Sequence, residues 1–197
     1  MLSLQRKISF METPNFIESY QTNEFDFCDK VIDKLEEYLK IDTTAIMIGS
    51  QTNNGQANRV DYSVNFEALQ DPLNVEMHQI LNKYIVEYVN KYTGYAQRNA
   101  ISRTMKVQKT PPKGGFHTWH SEHSSNNNSS YRVLTWTLYL NDIPEGEGET
   151  EFLEYGIKVQ PVKGSLCFFP AAWTHVHRGN PVYTKTKYIA TGWYYLT

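Results

Sequence analysis

Residues 132–141 read RVLTWTLYLN, a run of β-branched and aromatic residues that has the composition of a sheet strand. Outward from it the same texture recurs. SRTMKVQKT (102–110) alternates, and TEFLEY (150–155), IKVQPV (157–162), SLCFFP (165–170) and KYIATGWYYL (187–196) follow. Turn residues such as those at 145–148 and 163–164 separate them. Short strands at about 8–12-residue spacing predict a sandwich or barrel.

The first half of the chain has another period. Between Glu24 and Lys40, Phe27, Val31, Ile32, Leu35, Tyr38 and Leu39 form one apolar stripe at 3- and 4-residue steps, an amphipathic helix. A second helix is predicted over 72–92, with Ile80, Leu81, Tyr84, Ile85, Tyr88 and Val89 on one face. Asp71 before Pro72 is a capping residue followed by proline at the first helical position. SQTNNGQANR (50–59) reads as a loop. SSNNNSS (124–130) is a polar tract between strands, either a solvated loop or a flap beside a site. The expected plan is one domain, with 1–98 as helical support and 99–197 as the β core.

Composition narrows the function. The 197 residues are 40% hydrophobic and 20% charged, which suits a folded domain rather than a disordered chain. A net charge of −2 disfavours a generic polyanion binder, so neither nucleic acid nor a membrane surface is an expected partner. Cys28 and Cys167 match no metal-ligand spacing, and sparse cysteine suits a reducing compartment. MLSLQRKISF (1–10) has no apolar run long enough for a signal peptide, and no stretch reaches the ~20 apolar residues of a membrane span. A soluble, cytoplasmic protein is expected.

Five of the six histidines fall in FHTWHSEHS (116–124) and WTHVHRGN (173–180). His78, on the second helix, reads as a packing residue. His120-Ser121-Glu122 places imidazole and carboxylate two residues apart, and on a strand such residues share a face. A third ligand from the second cluster would complete two histidines and one carboxylate. That facial set leaves three positions open, as in non-haem Fe(II) oxygenases.

Four segments, in order, extend this reading. They are GGFHTWHSE (114–122), RVLTWTLYLNDIPEGEGETEF (132–152), PVKGSLCFFP (161–170) and HRGNPVYTKTKYIATGW (177–193). Together they resemble the prolyl 4-hydroxylase-like branch of the Fe(II)/2-oxoglutarate dioxygenases, in the short form seen in phage and environmental sequences. The resemblance implies a double-stranded β-helix, a jelly-roll of two facing antiparallel sheets with the helices packed on one of them. It implies Fe(II), 2-oxoglutarate and O2, with ascorbate as an accessory reductant. The implied reaction hydroxylates a C–H bond, first of all in a peptidyl proline, and releases succinate and CO2.

Carried over residue by residue, His120 is the proximal histidine, and Glu122 stands where the family more often has aspartate. His175 and His177 each lie ten residues before a lysine, Lys185 and Lys187. Pro181-Val182 lies four and five residues after His177, as in the family, and Lys187 opens an apolar run. These features favour His177 as distal ligand and Lys187 as partner of the far carboxylate of 2-oxoglutarate. Thr135 would add a hydroxyl there. Trp193 and Arg178 are candidate substrate residues, while Arg132 is expected in an ion pair with Glu149 or Glu151. His117 occupies a position where the family often has tyrosine, and His123 is expected to point outward or towards the 124–130 tract. Thr110-Pro111-Pro112 stands where the family usually has a cosubstrate tyrosine. A metal-binding jelly-roll without turnover and a structural protein are the competing readings.

Overall fold

The computed structural model describes residues 14–41, 46–48, 59–96, 99–125 and 129–197. The expected loop at 50–59, apart from Arg59, and residues 126–128 of the polar tract lie outside the described residues. The first half holds β1 (Glu18–Gln21), α1 (Phe25–Lys40), β2 (Ile46–Ile48), β3 (Arg59–Val60), β4 (Tyr62–Asn65), α2 (Pro72–Lys91) and α3 (Thr93–Ala96). Strands β5 (Ala100–Ser102), β6 (Lys106–Thr110), β7 (Gly115–Phe116) and β8 (Arg132–Tyr139) follow. The chain ends with β9 (Thr150–Phe152), β10 (Ile157–Val159), β11 (Ser165–Pro170), β12 (His177–Gly179) and β13 (Lys187–Leu196).

Both helices form where the apolar spacing places them. α1 buries Phe27, Val31 and Leu35 at four-residue steps. α2 begins at a capped end, because the Asp71 carboxylate accepts the Leu73 N–H at 2.9 Å with proline in the first turn. The Tyr38 hydroxyl donates to the other Asp71 oxygen at 2.7 Å and ties the two helices together.

The larger sheet has the order β1-β11-β8-β13-β6-β4-β2, with β5 also paired to β13. The opposing layer is β10-β9-β12 together with the β3-β7 pair, and the whole is a jelly-roll. The two-residue period divides each strand of the larger sheet between two environments. Leu134, Trp136 and Leu138 of β8, with Leu166 and Phe168 of β11, form one core with the helices. Tyr139, Cys167 and Phe169, on the other face, pack with Phe152 of the smaller sheet. The remaining residues of that face, such as Thr135, Thr137, Thr191 and Trp193, line a cleft between the sheets.

The first half is not solely helical support. β1 pairs with β11 and β4 with β6, so both enter the larger sheet. These four-residue strands are too short to show a two-residue period beside longer helical stripes.

Gly192 explains how Trp136 fits in the middle of this sheet. The two residues are cross-strand neighbours, and a Cβ at 192 would overlap both the Trp136 ring and the Thr104 carbonyl. Gly192→Ala is therefore expected to destabilise the fold by about 3 kcal/mol through overpacking, read as a lower denaturant midpoint. An unchanged midpoint would show that the sheet yields there.

Candidate metal and cosubstrate site

The site begins with a short backbone bridge. His120 N–H donates to the His177 carbonyl at 3.0 Å, and His177 N–H returns the bond at 2.9 Å. The two imidazoles consequently stand side by side, with centroids 4.5 Å apart. His177 lies on β12, registered against Phe152 of β9, and Phe169 packs edge-on against its ring. Phe116 of β7 stacks on His120 at 4.1 Å.

Each ring has its Nδ1 against a carbonyl oxygen, His120 on Thr118 at 2.8 Å and His177 on His175 at 2.9 Å. A carbonyl only accepts, so each Nδ1 carries the proton and each Nε2 presents a lone pair. Glu122 Oε1 lies 3.6 Å from the His120 Nε2 and 3.4 Å from that of His177. The ligand atoms of all three residues lie within 4.8 Å of one another. Two neutral imidazole nitrogens and one carboxylate oxygen converging on a point fit a divalent transition metal with open positions.

The other Glu122 oxygen is also engaged. Oε2 accepts the Trp193 indole N–H at 2.9 Å and an Arg132 guanidinium N–H at 3.2 Å. Arg132 stacks on the Trp193 ring at 3.6 Å and also donates to the Glu122 carbonyl at 3.2 Å. The pairing expected for Arg132, with Glu149 or Glu151, is thus replaced by Glu122. Arg178 holds Glu151 instead, through bonds of 3.0 and 2.7 Å, and stacks on Trp119 at 4.3 Å. Arg178, a candidate substrate residue from the sequence, is thus tied to the smaller sheet through Glu151.

Farther along the cleft lies Lys187. It is buried, donates to the Gly148 carbonyl at 2.5 Å, and sits 5.5 Å from the centre of the Tyr139 ring. Burial pulls its ammonium down to about 8, with Glu149 opposing the shift. Thr135 Oγ1 is buried without a hydrogen-bond partner among the described residues. A buried cation in the cleft fits an anionic ligand end. The cleft holds about 1160 Å³.

The other histidines are accounted for elsewhere. His175 sits in a 3₁₀ turn, and its Nε2 bonds the Asn15 carbonyl at 2.8 Å. His117 has its Nδ1 at 3.1 Å from the Gly179 carbonyl, and His123 is exposed. His78 bridges the Asn74 carbonyl and the Ser102 hydroxyl, a packing role.

One premise of the sequence reading fails locally. Residues 117–125 do not form a strand, apart from the single bridge at His120. Glu122 is delivered by a bend whose course is fixed by the His123 N–H on the Ala171 carbonyl at 2.9 Å and by Arg132 and Trp193. The sequence reading also missed Gln108 and Asp61, a hydrogen-bonded pair in the cleft wall. The alternation of SRTMKVQKT carried the signal, since Lys106, Gln108 and Thr110 share one face of β6 and all line the cleft.

Residues 105–195 match the 2OG-Fe(II) oxygenase superfamily. Solved structures share the fold. The viral collagen prolyl hydroxylase of Paramecium bursaria Chlorella virus-1, in its 2OG complex, aligns with a TM-score of 0.67 and 20% identity over 92% of this chain and 97% of its own. A Pseudomonas putida prolyl-4-hydroxylase aligns with a TM-score of 0.69 and 15% identity over 93% and 94%. A Trichoplax adhaerens prolyl hydroxylase, bound to a hypoxia inducible factor peptide fragment, aligns with a TM-score of 0.61 and 18% identity over 92% and 84%. No curated protein matches the chain. The matched residues hold the strands and the bend that carry His120, Glu122 and His177. This His-Glu-His cluster is a set of side chains that could hold a metal ion. No helix among the described residues is long and apolar enough to cross a membrane.

Proposed function

We propose that the protein hydroxylates a peptidyl proline, forming succinate and CO2 from 2-oxoglutarate. In this reading His120, Glu122 and His177 hold Fe(II), and Lys187 with Thr135 holds the far carboxylate of the cosubstrate. The observation that carries it is the presence in one cleft of a convergent His-Glu-His cluster and the buried ammonium of Lys187. The names of the structural relatives bring in proline. A cleft of about 1160 Å³ is roomier than a free amino acid requires and suits a peptide.

Each residue then has a physical task. The Glu122 carboxylate offsets part of the metal's charge, and the two carbonyls fix the imidazole tautomers. Lys187 supplies a charge-assisted hydrogen bond, without which a buried carboxylate is costly. Thr135 donates its hydroxyl to the same group. Trp193, buried on the cleft face of β13, closes the substrate side against water. The metal with its bound keto acid supplies the oxygen activation that drives hydroxylation.

The test is anaerobic addition of Fe(II) and then 2-oxoglutarate, followed in the visible charge-transfer band. Oxygen and a proline-containing peptide are then admitted. The expected result is a band that decays as succinate and hydroxyproline form together. Succinate formation that proline peptides neither stimulate nor accompany with hydroxyproline would remove proline as substrate. The absence of both band and succinate would remove the site assignment.

A further inference from the structure

We propose that Trp193 and Arg132 are positioning residues that clamp Oε2 of Glu122, so that this glutamate meets the metal through Oε1 alone. The inference rests on the reading of His120, Glu122 and His177 as the metal site. It concerns a residue that this chain has lengthened by one methylene relative to the family's usual aspartate.

The geometry supplies the argument. A glutamate has one more rotatable bond than aspartate, so its carboxylate could swing and chelate through both oxygens. A chelating carboxylate would take one of the three positions that a keto acid and oxygen require. Here the two oxygens have separate environments. Oε1 faces both imidazole Nε2 atoms, at 3.6 and 3.4 Å. Oε2 faces two donors, the Trp193 N–H at 2.9 Å and the Arg132 guanidinium at 3.2 Å.

Both donors are held by their own surroundings. Trp193 is buried and registered against Thr135 across β13 and β8. Arg132 lies at the start of β8 with its guanidinium carbon 3.6 Å from the centre of the indole ring, which limits its rotamers. It also donates to the Glu122 carbonyl at 3.2 Å, so it restrains both ends of that residue. An aspartate at this position would fall short of these donors by about one C–C bond, roughly 1.5 Å. The clamp is thus matched to glutamate.

The test uses Co(II) as an oxygen-stable probe, with affinity and visible spectrum measured for W193F and R132M in the wild-type and E122D backgrounds. Thermal melts of the metal-free proteins check folding. Each variant is expected to weaken Co(II) binding about 10- to 100-fold in the wild-type background but less than about twofold in the E122D background, because the coupled partner is gone. Equal losses in both backgrounds, or no loss in the wild-type background, would overturn the proposal. If E122D takes up no Co(II), infrared spectra of the ¹³C-glutamate-labelled protein decide. The separation of the antisymmetric and symmetric carboxylate stretches is expected to narrow in W193F, as Oε2 swings onto the ion. An unchanged separation would overturn the clamp. Failure of the wild type to bind Co(II) is a different result, which would overturn the metal site and the clamp with it.

Discussion

Alanine at His177 is expected to abolish Fe(II) binding and hydroxylation, whereas alanine at His175 leaves both in place. The two histidines are two residues apart and both are buried, yet their rings serve different partners. His177 Nε2 points at Glu122 Oε1, and its Nδ1 is tied to the His175 carbonyl. His175 Nε2 is engaged by the Asn15 carbonyl, and its ring packs on Tyr155 at 5.0 Å. Removing one of three donors that act as a unit should lower turnover by on the order of 10³ or more. His120→Ala should do the same. His175→Ala loses a buried hydrogen bond, which costs about 1 kcal/mol of stability. Equilibrium Fe(II) binding and thermal melts separate the two effects. Metal loss in His175→Ala with retention in His177→Ala would place the distal ligand two residues earlier.

The second large effect is expected at Lys187. Methionine there keeps an unbranched, buried chain but removes the charge proposed to pair with the far carboxylate of the cosubstrate. Truncating one partner of a buried charge pair costs about 2–5 kcal/mol. That corresponds to a loss of roughly 30- to 5000-fold in 2-oxoglutarate affinity. The pH dependence has a definite sign. Burial lowers the Lys187 ammonium to about 8, and only the charged form pairs with a carboxylate. Affinity for 2-oxoglutarate should therefore be full below that value and fall as pH rises through it, by about tenfold per unit. Isothermal titration between pH 6.5 and 9.5, run on wild type and Lys187→Met, checks both points. A wild-type affinity independent of pH, together with normal binding in Lys187→Met, would dismiss the role.

Much of this architecture is legible in the residues. The stripes of α1 and α2 are long enough for the helical period to stand out, and the Asp71-Pro72 start is local chemistry that any context would keep. The strands after residue 100 announce themselves because β-branched and aromatic residues fill both of their faces. β1 and β4 do not, since four residues hold only two per face. The ten-residue spacing to lysine fits His175 and His177 equally; Pro181-Val182 and the apolar run after Lys187 favour His177, and the structure adds that His175 is taken up by a 3₁₀ turn and the carbonyl of Asn15, far away in sequence. The destination of Arg132 is hidden for a related reason. Its partner depends on the path of a non-repetitive bend from 117 to 125, and no periodicity encodes such a path. Arg178 finds Glu151 because β12 and β9 pair in register, Arg178 opposite Glu151, a match visible only after the smaller sheet is assembled.

The alternation along β8 and β13 has a consequence for how this protein can change. Leu134, Trp136, Leu138, Ala190 and Tyr194 belong to the helix-facing core, while Thr135, Thr137, Thr191 and Trp193 look into the cleft. Adjacent residues on one strand thus answer to separate selective demands, one for folding and one for ligand choice. Drift or directed evolution at cleft-facing threonines can re-specify what is bound without eroding the stability held one residue away. Substrate preference and thermal tolerance should therefore evolve in this protein as nearly independent traits.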